Sequence, residues 1–344
     1  MRTLVARAAL VALLSPVLAL SVAACKSPPD GPSPGAAASA APTSSAPEQP
    51  KTVSGQVIHL RADDVVATDP VPPGVHGHGE ALRGIWTAAD GTTFAVGFMF
   101  TGAPGHDTGA VYRRAAGAAG GAFQLVYNAP GNELGRVWGR SANDVYAAGN
   151  KVLAHFDGRA WAEDPVPRLE GNISGVWGNA TDLWVTAGHQ YTAFVYHRSA
   201  AGAWNVEAKT DVMLFNVGGA GGSVWAVGSS GAIFRRDGEG RWKQEVEDRR
   251  VQYQSVWASG DDDAWVAGSD LLRSRAPGQW EKVELPVAGP VRYVWGRSRD
   301  DVFAGTPSGV FHLSEGRWRP TGVAQDSAAA SGTRDEICIA HNDR

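Results

Sequence analysis

The residues best suited to chemistry gather in two stretches. One reads His76-Gly77-His78-Gly79-Glu80 and the other His106-Asp107-Thr108. Imidazole and carboxylate groups suit divalent metals and polar ligands, so His76, His78, Glu80, His106 and Asp107 form the candidate ligand-binding set. Histidines flanked by glycine are readily solvated, and no metal is assigned to them. No catalytic residue and no cofactor is assigned either. No nucleophile motif accompanies these groups, and no glycine-rich phosphate loop joins a strand to a helix. His155, His197 and His312 alternate with apolar neighbours in strand-like runs, so packing roles are expected for them. Asn172-Ile173-Ser174 and Asn179-Ala180-Thr181 match the glycosylation acceptor pattern but carry no weight in this reading.

The elements that position these residues come from an internal repeat. From Trp257, an Asp lies at +6, an aromatic at +8 and a Gly at +11: Asp263, Trp265 and Gly268. Trp138 repeats this with Asp144, Tyr146 and Gly149, and Trp86 with Thr92, Phe94 and Gly97. Trp177 is followed by Asp182 and Trp184, each one place early, and Trp295 by Asp301 and Phe303. Val217 stands in the tryptophan column ahead of Ser223 and Trp225. In a last, degenerate copy Ala329 takes the Trp257 place, Asp335 the Asp263 place and Ile337 the Trp265 place. Successive copies begin 52, 39, 40, 40, 38 and 34 residues apart. A period near 40 residues, made of short apolar runs and glycine turns, predicts a β-propeller.

Each copy has room for four strands, A to D. The nearly all-apolar run Val224-Trp225-Ala226-Val227 is read as a B strand buried on both faces. The repeat-locked Asp ahead of each B strand is expected to cap the A–B turn. The last copy ends after two strands. Ser54-Gly55-Gln56-Val57-Ile58-His59-Leu60-Arg61 matches Ser230 to Asp237, a C strand, and can complete it. The expected fold is therefore an all-β, seven-bladed propeller of four-stranded antiparallel blades over residues 53–344, with blade seven closed by 53–69 and 327–344.

The string from Trp138 to Gly149 resembles the Trp-Gly repeats of secreted bacterial β-propeller proteins and lipoproteins. That resemblance covers residues 53–344 and implies architecture without a single activity. The sialidase-type Asp-box string is absent, so no glycosidase activity is implied.

Two long connections fall on one face of such a propeller, both in blade one: residues 70–80 between strands D and A, and 98–108 between B and C. The candidate set lies within them. His341, Asn342 and Asp343 are expected at the same face on the adjoining blade.

Residues 1–24 read as an export signal. Arg2 and Arg7 precede a 17-residue uncharged run containing Pro16, too short for a comfortable membrane span. Val22-Ala23-Ala24-Cys25 resembles the bacterial lipobox, which implies diacylation of Cys25 and cleavage before it. Lys26 follows rather than Asp, so the outer membrane is the expected address. Residues 26–52, rich in Pro, Ala and Ser, read as a disordered linker reaching roughly 30 Å as a coil. With Cys25 lipidated, Cys338 has no disulfide partner in the chain. The net charge of −4 argues against nucleic acid as a partner.

The expectation is a monomeric, non-enzymatic binding protein held in the cell envelope by its lipid, with a protein or glycan of the envelope as partner. Two rivals stand beside it. A scaffold subunit of an envelope complex predicts an exposed apolar patch. A hydrolase, lyase or metal-dependent activity predicts that the blade-one histidines and acids converge.

Overall fold

The computed structural model describes residues 54–61, 63–71, 80–99, 107–117, 122–323, 327–333 and 336–343. Among them are 28 strands and no helix, arranged as seven four-stranded sheets. Every strand pairing is antiparallel. The protein is a seven-bladed β-propeller.

Burial follows strand position within a blade, and composition follows burial. In blade five the A strand is Tyr253–Gly260, B is Asp263–Gly268, C is Leu271–Ala276 and D is Gln279–Lys282. Every residue of strand B is buried, whereas strand D is exposed except for the half-buried Trp280. A strand covered on both faces by neighbouring blades has no polar side, so it reads as a continuous apolar run. Alternation returns only toward the rim. The core is correspondingly divided into seven clusters, one at each contact between blades. Trp225, Val227 and Ile233 of blade four, for example, pack on Tyr253, Val256 and Val266 of blade five.

The Trp-Gly pairs are explained by the same contacts. The Trp86 ring of blade one rests on Gly139 of blade two, where an added Cβ would lie 2.8 Å from it. Trp138 meets Gly178, Trp177 meets Gly219 and Trp257 meets Gly296 at 2.7, 2.8 and 2.6 Å in the same sense. Each glycine is thus the seat for the previous blade's indole.

The seventh sheet joins the two ends of the described chain. Its A and B strands are Ser327–Gly332 and Ile337–Asp343, and its C and D strands are Ser54–Arg61 and Asp64–Pro70. Strands B and C pair from Ser54↔Asp343 to Leu60↔Ile337.

Two registers differ from the sequence reading. In blade four Trp225 pairs with Gly218, not Val217. In blade seven Ser331 pairs with Cys338, and Cys338 with His59. Cys338, not Ile337, therefore occupies the Trp265 place, and Glu336 takes the acid's place instead of Asp335. The reason is turn length. Trp257 and Trp265 are paired across eight positions, but Gly218 and Trp225, like Ser331 and Cys338, across seven. One residue fewer in the A–B turn moves every later side chain to the other face.

Candidate functional site

The blade-one candidates are only partly in view. Glu80 opens the A strand and pairs with Met99, which in turn pairs with Thr108, the residue after Asp107. Glu80 and Asp107 therefore lie at the same end of the blade, on the face of the D–A and B–C connections. His76, His78 and His106 lie outside the described residues, as does Cys25. Asn342 is on that face and is structural. Its Oδ1 accepts from Leu82 N at 2.7 Å and its Nδ2 donates to Leu82 O at 2.9 Å, joining blade seven to blade one as a strand backbone would.

The repeated acids do something other than cap turns. Asp144, Asp182 and Asp301 hold His155, His197 and His312 through Nε2 at 2.8, 2.7 and 2.9 Å. Each imidazole lies flat on the aromatic of its own repeat: Tyr146 at 4.2 Å, Trp184 at 4.8 Å and Phe303 at 4.0 Å. In blade five Arg273 replaces histidine, 2.8 Å from Asp263 and 4.8 Å above Trp265. The A–B turns are capped by other residues. Asp90, Ser141 and Asn179 accept from Thr92 N, Asn143 N and Asp182 N. Burial alone would raise the Asp182 carboxyl, but hydrogen bonds from Thr181 and His197 outweigh it and leave its pKa lowered. Glu207 behaves likewise: burial is outweighed by Arg236 and Trp242.

Blade seven carries the cluster that most resembles a reactive site. His59 Nδ1 lies 2.6 Å from Glu336 and 3.5 Å from Cys338 Sγ. His59 Nε2 is 3.0 Å from Asp69 Oδ2, at an angle poor for a hydrogen bond. These groups would suit a thiol nucleophile or a metal. Neither role fits. Cys338 is 1% exposed and burial pushes its thiol up, away from the thiolate that reacts or ligates. Arg114 of blade one lies 3.2 Å from Asp69 and 3.0 Å from Glu336, supplying the positive charge a metal would bring. The cluster is the acid–base pair of the other blades, extended across the closing seam.

A different feature lies at the centre of the ring. The A strands of blades one, three, four, five and seven each bulge, so that Arg83, Ser174, Phe215, Gln254 and Ala328 are skipped by the ladder. Arg292 stands at the matching position of blade six, just before its A strand. A bulge re-aims its residue, and here Arg83, Gln254, Arg292 and Ala328 line a central cavity of about 590 Å³. Tyr293, Trp257 and Trp295 contribute aromatic walls. Arg83, Arg136 and Arg292 contribute charge, and no carboxylate is among the described lining residues. Arg136 donates to Gly135 O at 3.0 Å and reaches Phe215 O of blade four at 3.1 Å, while its Nε has no partner. Burial, and then the charge of Arg83, lower the Arg136 pKa. The sequence reading missed these arginines. Their signal was the column three places before the tryptophan, which holds Arg in blades one and six.

No family model and no curated protein sequence matches the chain. Solved structures do. YCF48 bound to D1 peptide aligns with a TM-score of 0.58 at 12% identity, over 83% of this chain and 97% of that one. The RRP9 WD40 repeats align at 0.55 and 10%, over 79% and 99%. The extracellular domain of the one-component system BT4673 from B. thetaiotaomicron aligns at 0.58 and 9%, over 79% of this chain and 39% of that one. At these identities the shared feature is the propeller fold.

Proposed function

We propose that the chain is a non-enzymatic binding protein of the cell envelope, holding a protein partner on the face where the D–A and B–C connections emerge. One observation carries this reading: the central opening gathers Arg83, Arg136 and Arg292 beside Trp257, Tyr293 and Trp295. A concavity lined by guanidinium and aromatic side chains is suited to recognition. The similar structure of YCF48 contains a bound peptide, which supports a peptide or protein as the kind of partner. The described acid–histidine pairs are engaged in holding blades, and the one described thiol is buried, which favours binding over catalysis.

The scaffold alternative gains little. Among the described residues the exposed large apolar side chains, Val65, Leu125, Tyr191 and Val206, are scattered over three blades. The address rests on the lipobox at Cys25. Ser54 pairs with Asp343 at the B–C end of blade seven, so the propeller begins on the proposed binding face. A tether of residues 26–52, reaching roughly 30 Å, would keep that face near the membrane.

Crosslinking the protein in its native envelope tests the reading. A reproducible protein partner is expected. No partner, together with turnover of a supplied glycan or peptide, would overturn it.

A further inference from the structure

We propose that the groove between blades four and five is a guanidinium subsite for a small arginine-like solute, with Glu245 as its anchoring carboxylate. This goes beyond the partner-binding face and does not depend on it.

A second repeat, at the contacts between blades, leads there. A D-strand tryptophan pairs with a C-strand residue of its own blade: Trp204 with Arg198, Trp242 with Arg236, Trp280 with Ser274 and Trp318 with Leu313. Three places after the tryptophans of blades two to five stand Asp164, Glu207, Glu245 and Val283. Each of these is matched to the C-strand residue of the next blade. Asp164 forms an ion pair with Arg198. Glu207 takes Arg236 side-on, Oε1 accepting from Nη2 at 2.8 Å and Oε2 from Nε at 2.9 Å. Val283 and Leu313 belong to one apolar cluster. By the same register Glu245 is matched to Ser274, whose short side chain donates to Ala276 O at 3.2 Å instead.

Glu245 is left with part of its capacity open. Its Oε1 accepts from Gly278 N and its Oε2 from Trp280 Nε1, both at 3.0 Å, and among the described residues no cation pairs with it. A carboxylate has about four acceptor sites, so each oxygen keeps one. The Trp225 indole N–H, equivalent to the Trp184 N–H that Glu207 holds at 3.2 Å, is buried without a partner.

A groove of about 710 Å³ opens at this contact, with Glu245, Asp261 and Gly278 in its lining. The other charges of the lining are largely engaged. Arg235 pairs with Asp262, Arg236 with Glu207 and Asp237 with Arg241. Asp261 accepts from the backbone of Gly222 and Ser223 and, like Glu245, meets no cation of the described chain. Against these two carboxylates the described lining sets the exposed Lys243. A planar guanidinium offers Glu245 the paired donors that Arg236 offers Glu207, which an ammonium does not. The volume suits a small molecule rather than a folded element.

The test titrates the full chain with L-arginine, L-citrulline and L-lysine by calorimetry. Citrulline keeps the shape of arginine without its side-chain charge. Saturable binding of arginine, about tenfold or more tighter than of the other two, is expected. Glu245→Gln should weaken it about tenfold or more. Ser274→Arg supplies the guanidinium from the chain itself and should abolish arginine binding. Ser274 is buried, so if that variant fails to fold, Glu245→Gln at a half-buried position decides. No saturation by about 10 mM arginine would overturn the subsite. So would equal binding of citrulline or lysine, or arginine binding that survives the variants. Arginine binding that appears only in Lys243→Met would overturn it as well, by assigning Glu245 to Lys243. None of these outcomes bears on crosslinking at the central opening, so this subsite and the partner-binding face fail separately.

Discussion

At the scale of single residues, the indole and the glycine that seats it form one unit divided between two blades. Where the tryptophan is missing, so is the glycine. Gly218 stands in the tryptophan place of blade four, and Ala258 occupies the seat in blade five. Ser331 stands in that place in blade seven, and the seat in blade one is Thr87, whose N–H donates to Ser331 Oγ at 2.9 Å. The seat is therefore set by the neighbouring side chain as well as by the local turn. Gly296→Ala, which would bring a Cβ to 2.6 Å from the Trp257 ring, should destabilise by about 1–3 kcal/mol in urea unfolding. Trp257→Ala alone should cost roughly 3–5 kcal/mol. The double variant should fall short of the sum by about 0.5–3 kcal/mol, and strict additivity would contradict the seat.

Titration belongs to this scale too. Asp182, Glu207 and Glu336 have depressed folded-state pKa values. Their contribution is present above the ordinary carboxylate values of 3.8 and 4.5 and is lost as pH falls through the lower folded values. Tyr253 is pushed up to about 12 from 10, chiefly by burial, so its contribution is lost as pH rises through that interval. Thermal melting across pH should show a plateau between these windows. Stability that rose on acidification below pH ~4 would contradict the signs.

At the scale of elements, blade seven is the least regular repeat and the one that closes the ring. Asn342→Ala leaves Leu82 N–H and C=O without their side-chain partners, at a cost of about 1–3 kcal/mol per buried group. Faster hydrogen exchange in Glu80–Thr87 and Ile337–Asp343 than in blade four is the expected readout. Unchanged exchange there would contradict the clasp.

Much of this architecture was legible in the sequence, because tryptophan spacing and glycine turns repeat with the blade. The match of Ser54–Arg61 to Ser230–Asp237 put His59 in the place of Arg235, which pairs with Trp225, and the structure has it in that place, but facing Cys338 rather than Ile337. The C-terminal match slipped by two residues in strand A and one in strand B, because nothing local in Ala329–Ile337 reveals a shorter turn. The acids were visible but their job was not: the hydrogen bond that Asp301 accepts from His312 depends on strand pairing 11 residues away. The cavity arginines were hidden for a related reason. A bulge turns Arg83 toward the axis, whereas Arg136 is paired in its ladder and Arg292 precedes its strand, so no single column of the repeat marks all three.

At the scale of the whole molecule, the propeller offers two faces, and the account uses one of them. Cys25→Ser should release the protein from the membrane fraction; retention there would contradict the lipid anchor. The central claim is that the face around the arginine-lined opening meets the partner. A photoreactive residue in place of Gln254, exposed at that opening, tests it directly when compared with one at Asp262, exposed in an A–B turn at the opposite end of blade five. Irradiation of intact cells should give a discrete crosslinked protein from position 254 and none from position 262. Equal crosslinking from both positions, or crosslinking from 262 alone, would contradict the account.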